Sequence, residues 1–148
     1  MPYFFLLITA LIAGMALPVQ TAVNAELRAA VISPYLAAMI SFLVGAAVLC
    51  GLSLAIDHTI IPNRTVFTKP WWIWIGGALG VMLVLANVIL MPQIGSALTV
   101  GLTLAGQLII AIIIDHFGWF HLPVHEINIP RIIGVLLILV GIFLVQRF

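Results

Sequence analysis

Four carboxamide side chains lie in apolar segments of this sequence, where a polar group needs a hydrogen-bonding partner. Gln20 and Asn24 are one helical turn apart in the first segment, Asn87 lies in the third, and Gln107 lies in the fourth. Amides donate and accept hydrogen bonds without net charge, so the set favours a neutral or zwitterionic polar solute over a hydrophobic cation. Two interpretations stay open: the amides line an aqueous cavity and bind a solute, or they hydrogen-bond between helices.

Two further side chains could serve the same site. Glu26 is the acid nearest to the amide pair, so it could exchange a proton or attract a cation at a cavity mouth; otherwise it is a solvated charge at the membrane interface. Trp72 belongs to the run Lys69-Pro70-Trp71-Trp72-Ile73-Trp74, which is typical of an interface anchor. It could also form a wall of the cavity.

The sequence offers no constellation for catalysis. No nucleophile and base lie at a common depth, and no ionisable residue lies at the centre of an apolar segment. One loop carries His116, His121, His125 and Glu126, but Pro123 between the two closely spaced imidazoles argues against a helical zinc site. We therefore expect no enzyme activity, no catalytic residue, no bound metal and no cofactor.

Composition places the chain in a membrane. Its 148 residues are 65% hydrophobic and only 6% charged, with a mean hydropathy of +1.36, whereas soluble domains carry about 25% charged residues. The net charge of +1 and the lack of any cluster of four basic residues argue against a nucleic-acid partner. The lipid bilayer is the partner that this composition requires.

Five apolar segments approach or reach the roughly 20 residues that a membrane-spanning helix needs. They predict an all-α integral membrane protein, a single five-helix transmembrane domain over residues 1–148. The predicted helices are 3–25, 34–56, 71–91, 96–114 and 131–145. Between the third and the fourth, Pro92-Gln-Ile-Gly95 predicts a tight turn.

The basic residues are almost evenly divided between the two sides of the membrane. With five spans, the side that holds the N-terminus receives Arg64, Lys69 and Arg131, and the other side receives Arg28 and Arg147. Orientation follows the excess of Lys and Arg in short cytoplasmic loops, and here that excess is a single residue. We expect a weakly fixed or mixed orientation, which allows the chain to pair with an inverted copy of itself.

Small residues mark where helices can approach closely. Gly134 and Gly141 lie seven residues apart on one stripe of the last predicted helix. Such a stripe could serve packing within one subunit. Five thin helices enclose little space alone, however, so we predict that this helix forms the interface of a homodimer.

Several motifs together resemble a known family. They are Gly14-x-x-x-Pro18-x-Gln20-x-x-x-Asn24-x-x-Leu27, Trp71-Trp72-x-Trp74-x-Gly76-Gly77-x-x-Gly80, Pro92-x-x-Gly95, Gly106-Gln107 and Asp115-His116-Phe117-Gly118. In this order the chain resembles the YdcZ-like family, a half-size, five-helix branch of the drug/metabolite transporter superfamily. The resemblance implies an antiparallel homodimer with a transport role, and a multi-pass location in the bacterial cytoplasmic (inner) membrane.

The last helix is also similar to the dimerising helix of the small multidrug resistance proteins. Those relatives carry a membrane-embedded glutamate in their first helix, where this chain has Gln20 and Asn24. The difference argues against proton antiport and against specificity for cationic drugs.

These observations predict a secondary transporter that moves a small polar or amphipathic solute by alternating access in an inverted homodimer. The predicted solute-binding residues are Gln20, Asn24, Asn87, Gln107 and Trp72, with Glu26 as a candidate for coupling and Gly134 and Gly141 at the dimer interface. Two alternatives remain open at this point: a passive solute pore, and a structural or regulatory membrane subunit that binds no solute.

Overall fold

The computed structural model describes residues 3–148, and its regular structure there is helical. The helices are α1 (Tyr3–Val31), α2 (Pro34–Ile56), α3 (Ile75–Ile94), α4 (Ser96–Phe117) and α5 (Ile129–Arg147). Short 3₁₀ turns lie at Arg64–Thr68, Trp71–Trp74 and Trp119–His121. Within the described residues, five helices are long and apolar enough to cross a membrane. This confirms the prediction of an all-helical, five-span membrane protein.

Helix α1 continues to Val31, beyond the end predicted at residue 25. The residues that follow position 25 include Glu26, Leu27 and Arg28, all of which are good helix formers. A helix of 29 residues is about 43 Å long, which matches the hydrocarbon core together with its headgroup layers. Its last turns therefore carry charged side chains while the helix continues.

Helix α3 passes through Pro92 and ends at Ile94, although the sequence predicts a turn from Pro92 onward. Proline has no backbone N–H, so the carbonyl of Val88, four residues earlier, receives no helical hydrogen bond from it. The turn falls instead at Gly95, which has a φ of +83°. Glycine adopts that left-handed conformation without steric cost.

The second half of the chain shows equally clear helix ends. Helix α4 includes Asp115 and His116 and ends at Phe117, three residues beyond the end predicted at 114, where Gly118 caps it in the left-handed conformation. Helix α5 begins after Asn128, whose side chain accepts a hydrogen bond from the backbone N–H of Arg131 at 3.0 Å. Capping of this kind satisfies an N–H that the first helical turn leaves unpaired.

The chain divides into two compact units, one ending at Pro92 and the other Gln93–Phe148. In the first unit α1 packs on α2. Ser33 caps the start of α2, because its hydroxyl accepts a hydrogen bond from the backbone N–H of Leu36. In the second unit α4 packs on α5. That the five helices form a single domain stays a prediction.

Candidate functional site

Polar side chains are buried on α1 and α3, in the first unit. Thr21 and Asn24 are each 4% exposed and Asn87 is 2% exposed. The Thr21 hydroxyl donates to the carbonyl of Leu17 at 2.9 Å, so its hydrogen bond stays within α1. Thr21, Asn24 and Arg28 follow the helical spacing of a single face, which makes this stripe the buried polar face of α1.

The amide of Asn87 is the least satisfied of these groups. Its Oδ1 is buried and has no hydrogen-bond partner. Leaving a buried acceptor unpaired costs about 1–3 kcal/mol, so such atoms are rare in native proteins and need an explanation. One explanation is that Oδ1 of Asn87 accepts a hydrogen bond from a ligand.

Arg28 joins the end of α1 to α3. Its Nη1 donates to the backbone carbonyl of Val88 at 3.0 Å, and this carbonyl is the one that Pro92 leaves without a helical donor. Arg28 is not among the residues that the amide pattern predicts. The sequence signals that could have identified it are its place one turn after Asn24 and the spacing of four residues between Val88 and Pro92.

Gln20 lies beside a cavity of about 300 Å³ rather than on the buried stripe. The cavity is lined by Gln20 from α1 and by residues of α2 that include Ser41, Phe42 and Gly45. Gln20 is exposed, whereas Asn24 is buried. The two amides therefore lie in different surroundings, although they are one turn apart on the same helix.

A larger apolar cavity of about 530 Å³ lies between α2 and α3. Its lining includes Tyr35, Met39, Val81 and Leu85, and it shares Phe42 with the cavity beside Gln20. The ring of Phe42 rests against α3 at Gly80, where an added Cβ would lie 3.6 Å from Cζ of Phe42. The first unit thus offers a partly polar hollow and an apolar hollow with Phe42 at the wall of both.

The other predicted residues lie outside this group. Glu26 is exposed on the last turns of α1, Trp72 is 37% exposed in the Trp71–Trp74 turn, and Gln107 is exposed on α4 in the second unit. Gly134 and Gly141 are half-buried on α5, and a Cβ added at either would meet no atom within 4 Å.

The second unit places its charges in a satisfied cluster where α4 and α5 meet the loop between them. Arg131 Nη2 lies 2.7 Å from Asp115 Oδ2, and its Nη1 donates to the carbonyl of His125 at 2.9 Å. His116 Nδ1 accepts from the N–H of Ile127 at 3.2 Å. Over residues 3–148, no group of three or more His, Cys, Asp or Glu side chains could hold a metal ion.

Comparisons with known proteins agree with this architecture. Residues 5–144 match the family model described as "Putative inner membrane exporter, YdcZ". The chain is similar to the inner membrane protein YdcZ of Escherichia coli (strain K12), with 27% identity over 135 residues that cover 91% of this chain and 90% of that protein. No solved structure matches. With its five spanning helices, the chain therefore belongs to the YdcZ family of multi-pass inner-membrane proteins, whose description is that of a transporter and not of an enzyme.

Proposed function

We propose that this protein is a secondary transporter that moves a small polar or amphipathic solute across the inner membrane by alternating access. The observation that carries the proposal is the buried Oδ1 of Asn87, which has no partner. An N–H or O–H group of a solute would complete its hydrogen bond. Binding would then remove the cost of the unpaired acceptor, and this gain would contribute to the binding free energy of the solute.

The two hollows beside α2 suggest how such a solute binds. In this proposal Gln20 binds a polar group at the cavity of about 300 Å³ that it lines. The buried Asn24 and Asn87, which are not among the lining residues of either cavity, bind further polar groups of the solute. An apolar part fits the neighbouring cavity of about 530 Å³ beyond Phe42. Trp72 and Gln107 remain further candidates for contact with the solute during transport.

An inverted homodimer would supply the alternation between inside and outside. Two copies of one cavity then face opposite sides of the membrane, and exchanging the conformations of the subunits exchanges their access. The near-equal division of basic residues supports this pairing. So does the open space at Gly134 and Gly141, where a partner helix could approach α5 closely.

Glu26 is the candidate for coupling transport to an ion. It is exposed on α1, two residues after the buried Asn24. In this role its carboxylate exchanges a proton or attracts a cation at the cavity mouth. Transport by the Glu26→Gln variant should then lose its dependence on pH, and an unchanged pH profile would remove Glu26 from the mechanism.

Ligand screening followed by counterflow tests the transport function. Purified protein is heated with a panel of amino acids, polyols, nucleosides, ethidium and tetraphenylphosphonium, because a ligand that binds the folded state raises its apparent stability. Each stabilising compound is then tested for saturable counterflow in proteoliposomes. Flux without saturation or counterflow would indicate a pore instead. Absence of binding and flux would indicate a structural or regulatory subunit.

Cysteine crosslinking tests the inverted pairing. The native thiol of Cys50 is exposed, so every variant also carries Cys50→Ser. Gly134→Cys and Gly141→Cys chains, made separately and reconstituted together, should crosslink between position 134 of one chain and position 141 of the other. Crosslinks found only between like positions would show a parallel pair and overturn the inverted arrangement.

A further inference from the structure

The last turns of α3 contain a backbone carbonyl that its own helix does not satisfy. Pro92 lies inside the helix and has no N–H to give to the carbonyl of Val88. An unsatisfied carbonyl in a membrane costs free energy because no bulk water is present to replace the missing donor. Arg28 supplies the donor, with its Nη1 3.0 Å from the carbonyl oxygen.

That single bond leaves most of the Arg28 guanidinium unused. The group has five N–H donors in a rigid fork and always carries a positive charge. Among residues 3–148 the structure contains one ion pair, between Arg131 and Asp115, so Arg28 has no carboxylate partner there. Arg28 is also half-buried, which makes its charge more costly than that of a fully solvated arginine.

An unused acceptor lies next to the same point of α3. Asn87 directly precedes Val88, and its Oδ1 is the buried atom without a partner. Asn24 is one turn before Arg28 on α1 and is buried as well. Arg28 on α1 therefore has spare donors with a positive charge, and Asn87, the residue before the one that Arg28 contacts on α3, has a spare neutral acceptor.

We infer that Arg28 recognises the negative charge of the transported solute. Such a solute has an anionic oxygen group that binds the guanidinium and an N–H or O–H group that donates to Oδ1 of Asn87. Amino acids and hydroxy acids have both features on neighbouring atoms. A guanidinium binds a carboxylate with two parallel hydrogen bonds, whereas it repels an organic cation. This inference rests on the proposed transport function and names the class of solute.

The bond to Val88 also has a purely structural interpretation, in which Arg28 only satisfies the carbonyl that Pro92 leaves free. The two roles can be separated, because Pro92→Ala restores the missing N–H and makes the arginine dispensable for that carbonyl. Arg28→Gln keeps a neutral donor and removes the charge, and Arg28→Lys keeps the charge without the fork. The Arg28→Gln/Pro92→Ala double variant therefore lacks only the recognition of charge.

The experiment measures thermal stabilisation of the purified protein by matched acids and amides. The probes are glycine, leucine, phenylalanine and lactate, each compared with its carboxamide. We expect the acids to bind the wild type more tightly, and Arg28→Gln to weaken their binding roughly 10- to 150-fold, with or without Pro92→Ala. Binding of the amides should not change, and Arg28→Lys should retain part of the preference for acids.

Several outcomes would overturn the inference. They are equal binding of acids and amides, loss that Pro92→Ala restores, or no binding of any acid. A second arm adds phosphatidylglycerol in place of the solutes. If only this lipid stabilises the protein in an Arg28-dependent way, the anionic oxygen belongs to a headgroup and the assignment to the solute is wrong.

Counterflow in proteoliposomes distinguishes failure of this inference from failure of the proposed transport function on which it rests. Equal counterflow of an acid in the wild type and in Arg28→Gln would keep the transporter and remove the role of Arg28. Binding that depends on Arg28 without counterflow of any bound solute would keep the recognition of charge and overturn the transport function.

Discussion

Arg28 and Arg131 are arginines near helix ends, but their surroundings differ. Arg131 has a carboxylate at 2.7 Å and a carbonyl at 2.9 Å, so its charge and its fork are both satisfied. Arg28 bonds a carbonyl that Pro92 has left free, and it has no carboxylate partner among residues 3–148. Satisfied polar groups stabilise a structure, whereas buried polar groups with spare hydrogen-bonding capacity are rare and need an explanation, for which we propose a bound solute.

Two helical glycines, one from each unit, differ in how closely they are packed. A Cβ added to Gly101 of α4 would lie 2.9 Å from Cγ1 of Ile142, so this glycine is required for close packing with α5. A Cβ added to Gly45 of α2, beside the cavity that Gln20 lines, would meet no atom within 4 Å. Gly101 is closely packed, whereas Gly45 has room for a side chain.

The largest expected effect comes from Asn87→Leu. Replacing the unpaired amide by an apolar side chain of similar size removes an unsatisfied acceptor, so the midpoint of thermal unfolding should not fall. Solute binding should weaken roughly 5- to 150-fold, because the solute donor loses its acceptor. Thermal unfolding with and without solute measures both quantities.

Thr99→Val is the matched control for Asn87→Leu. Thr99 is equally buried, but its hydroxyl already donates to the carbonyl of Gly95 at 2.7 Å. Its removal should cost about 1 kcal/mol of stability and leave solute binding unchanged. If Asn87→Leu instead destabilised the protein as Thr99→Val does, the proposed difference between the hydrogen-bonded Thr99 hydroxyl and the unpaired Asn87 amide would be wrong.

A pair of glycine substitutions gives the next effect. Gly101→Ala should destabilise the second unit by about 1–3 kcal/mol, because the new methyl group overpacks against Ile142. Gly45→Ala should leave stability equal or higher, since alanine favours a helix over glycine, while it narrows the cavity beside Gln20 and weakens binding. Equal effects of the two variants on stability would show that the two glycines do not differ in packing.

The smallest effect is expected for Asp115→Asn. The ion pair with Arg131 is about a third exposed on each side, and pairs in such surroundings contribute about 0.2–1 kcal/mol. The stability difference from the wild type should shrink as salt is added, because salt screens charges near the surface. Transport should not change. A loss of transport without loss of stability would move the functional site into the second unit.

The sequence alone predicts the five spans well because each apolar segment approaches or reaches the required length and polar residues, proline or glycine separate the segments. It also draws attention to Asn24 and Asn87, since amides in apolar segments are conspicuous, and the structure finds both buried; that they bind a solute stays a prediction. It fails at α3, where Pro92 suggests a turn but lies inside a helix. The compensating donor comes from Arg28, 60 residues away, and no local pattern contains that information.

Burial of individual faces is the other property that spacing does not reveal. Gln20 and Asn24 share a helical spacing, yet Gln20 is exposed beside a cavity and Asn24 is buried. Which side of α1 is covered depends on packing against other helices, and almost every residue of α1 before Pro18 is apolar. An apolar helix has no polar side to mark its orientation in lipid.

The contact between Arg28 and α3 involves a backbone oxygen, and this has a consequence for how the family can vary. The contact itself places no demand on the side chain at position 88; the demand there comes from packing, because Val88 is fully buried. We expect Arg28 and Pro92 to vary together, because the proline ring removes the donor that would compete with the arginine. In an alignment of relatives, loss of the proline should accompany loss of the arginine wherever the link is only structural. The arginine should persist without the proline wherever it also recognises the solute.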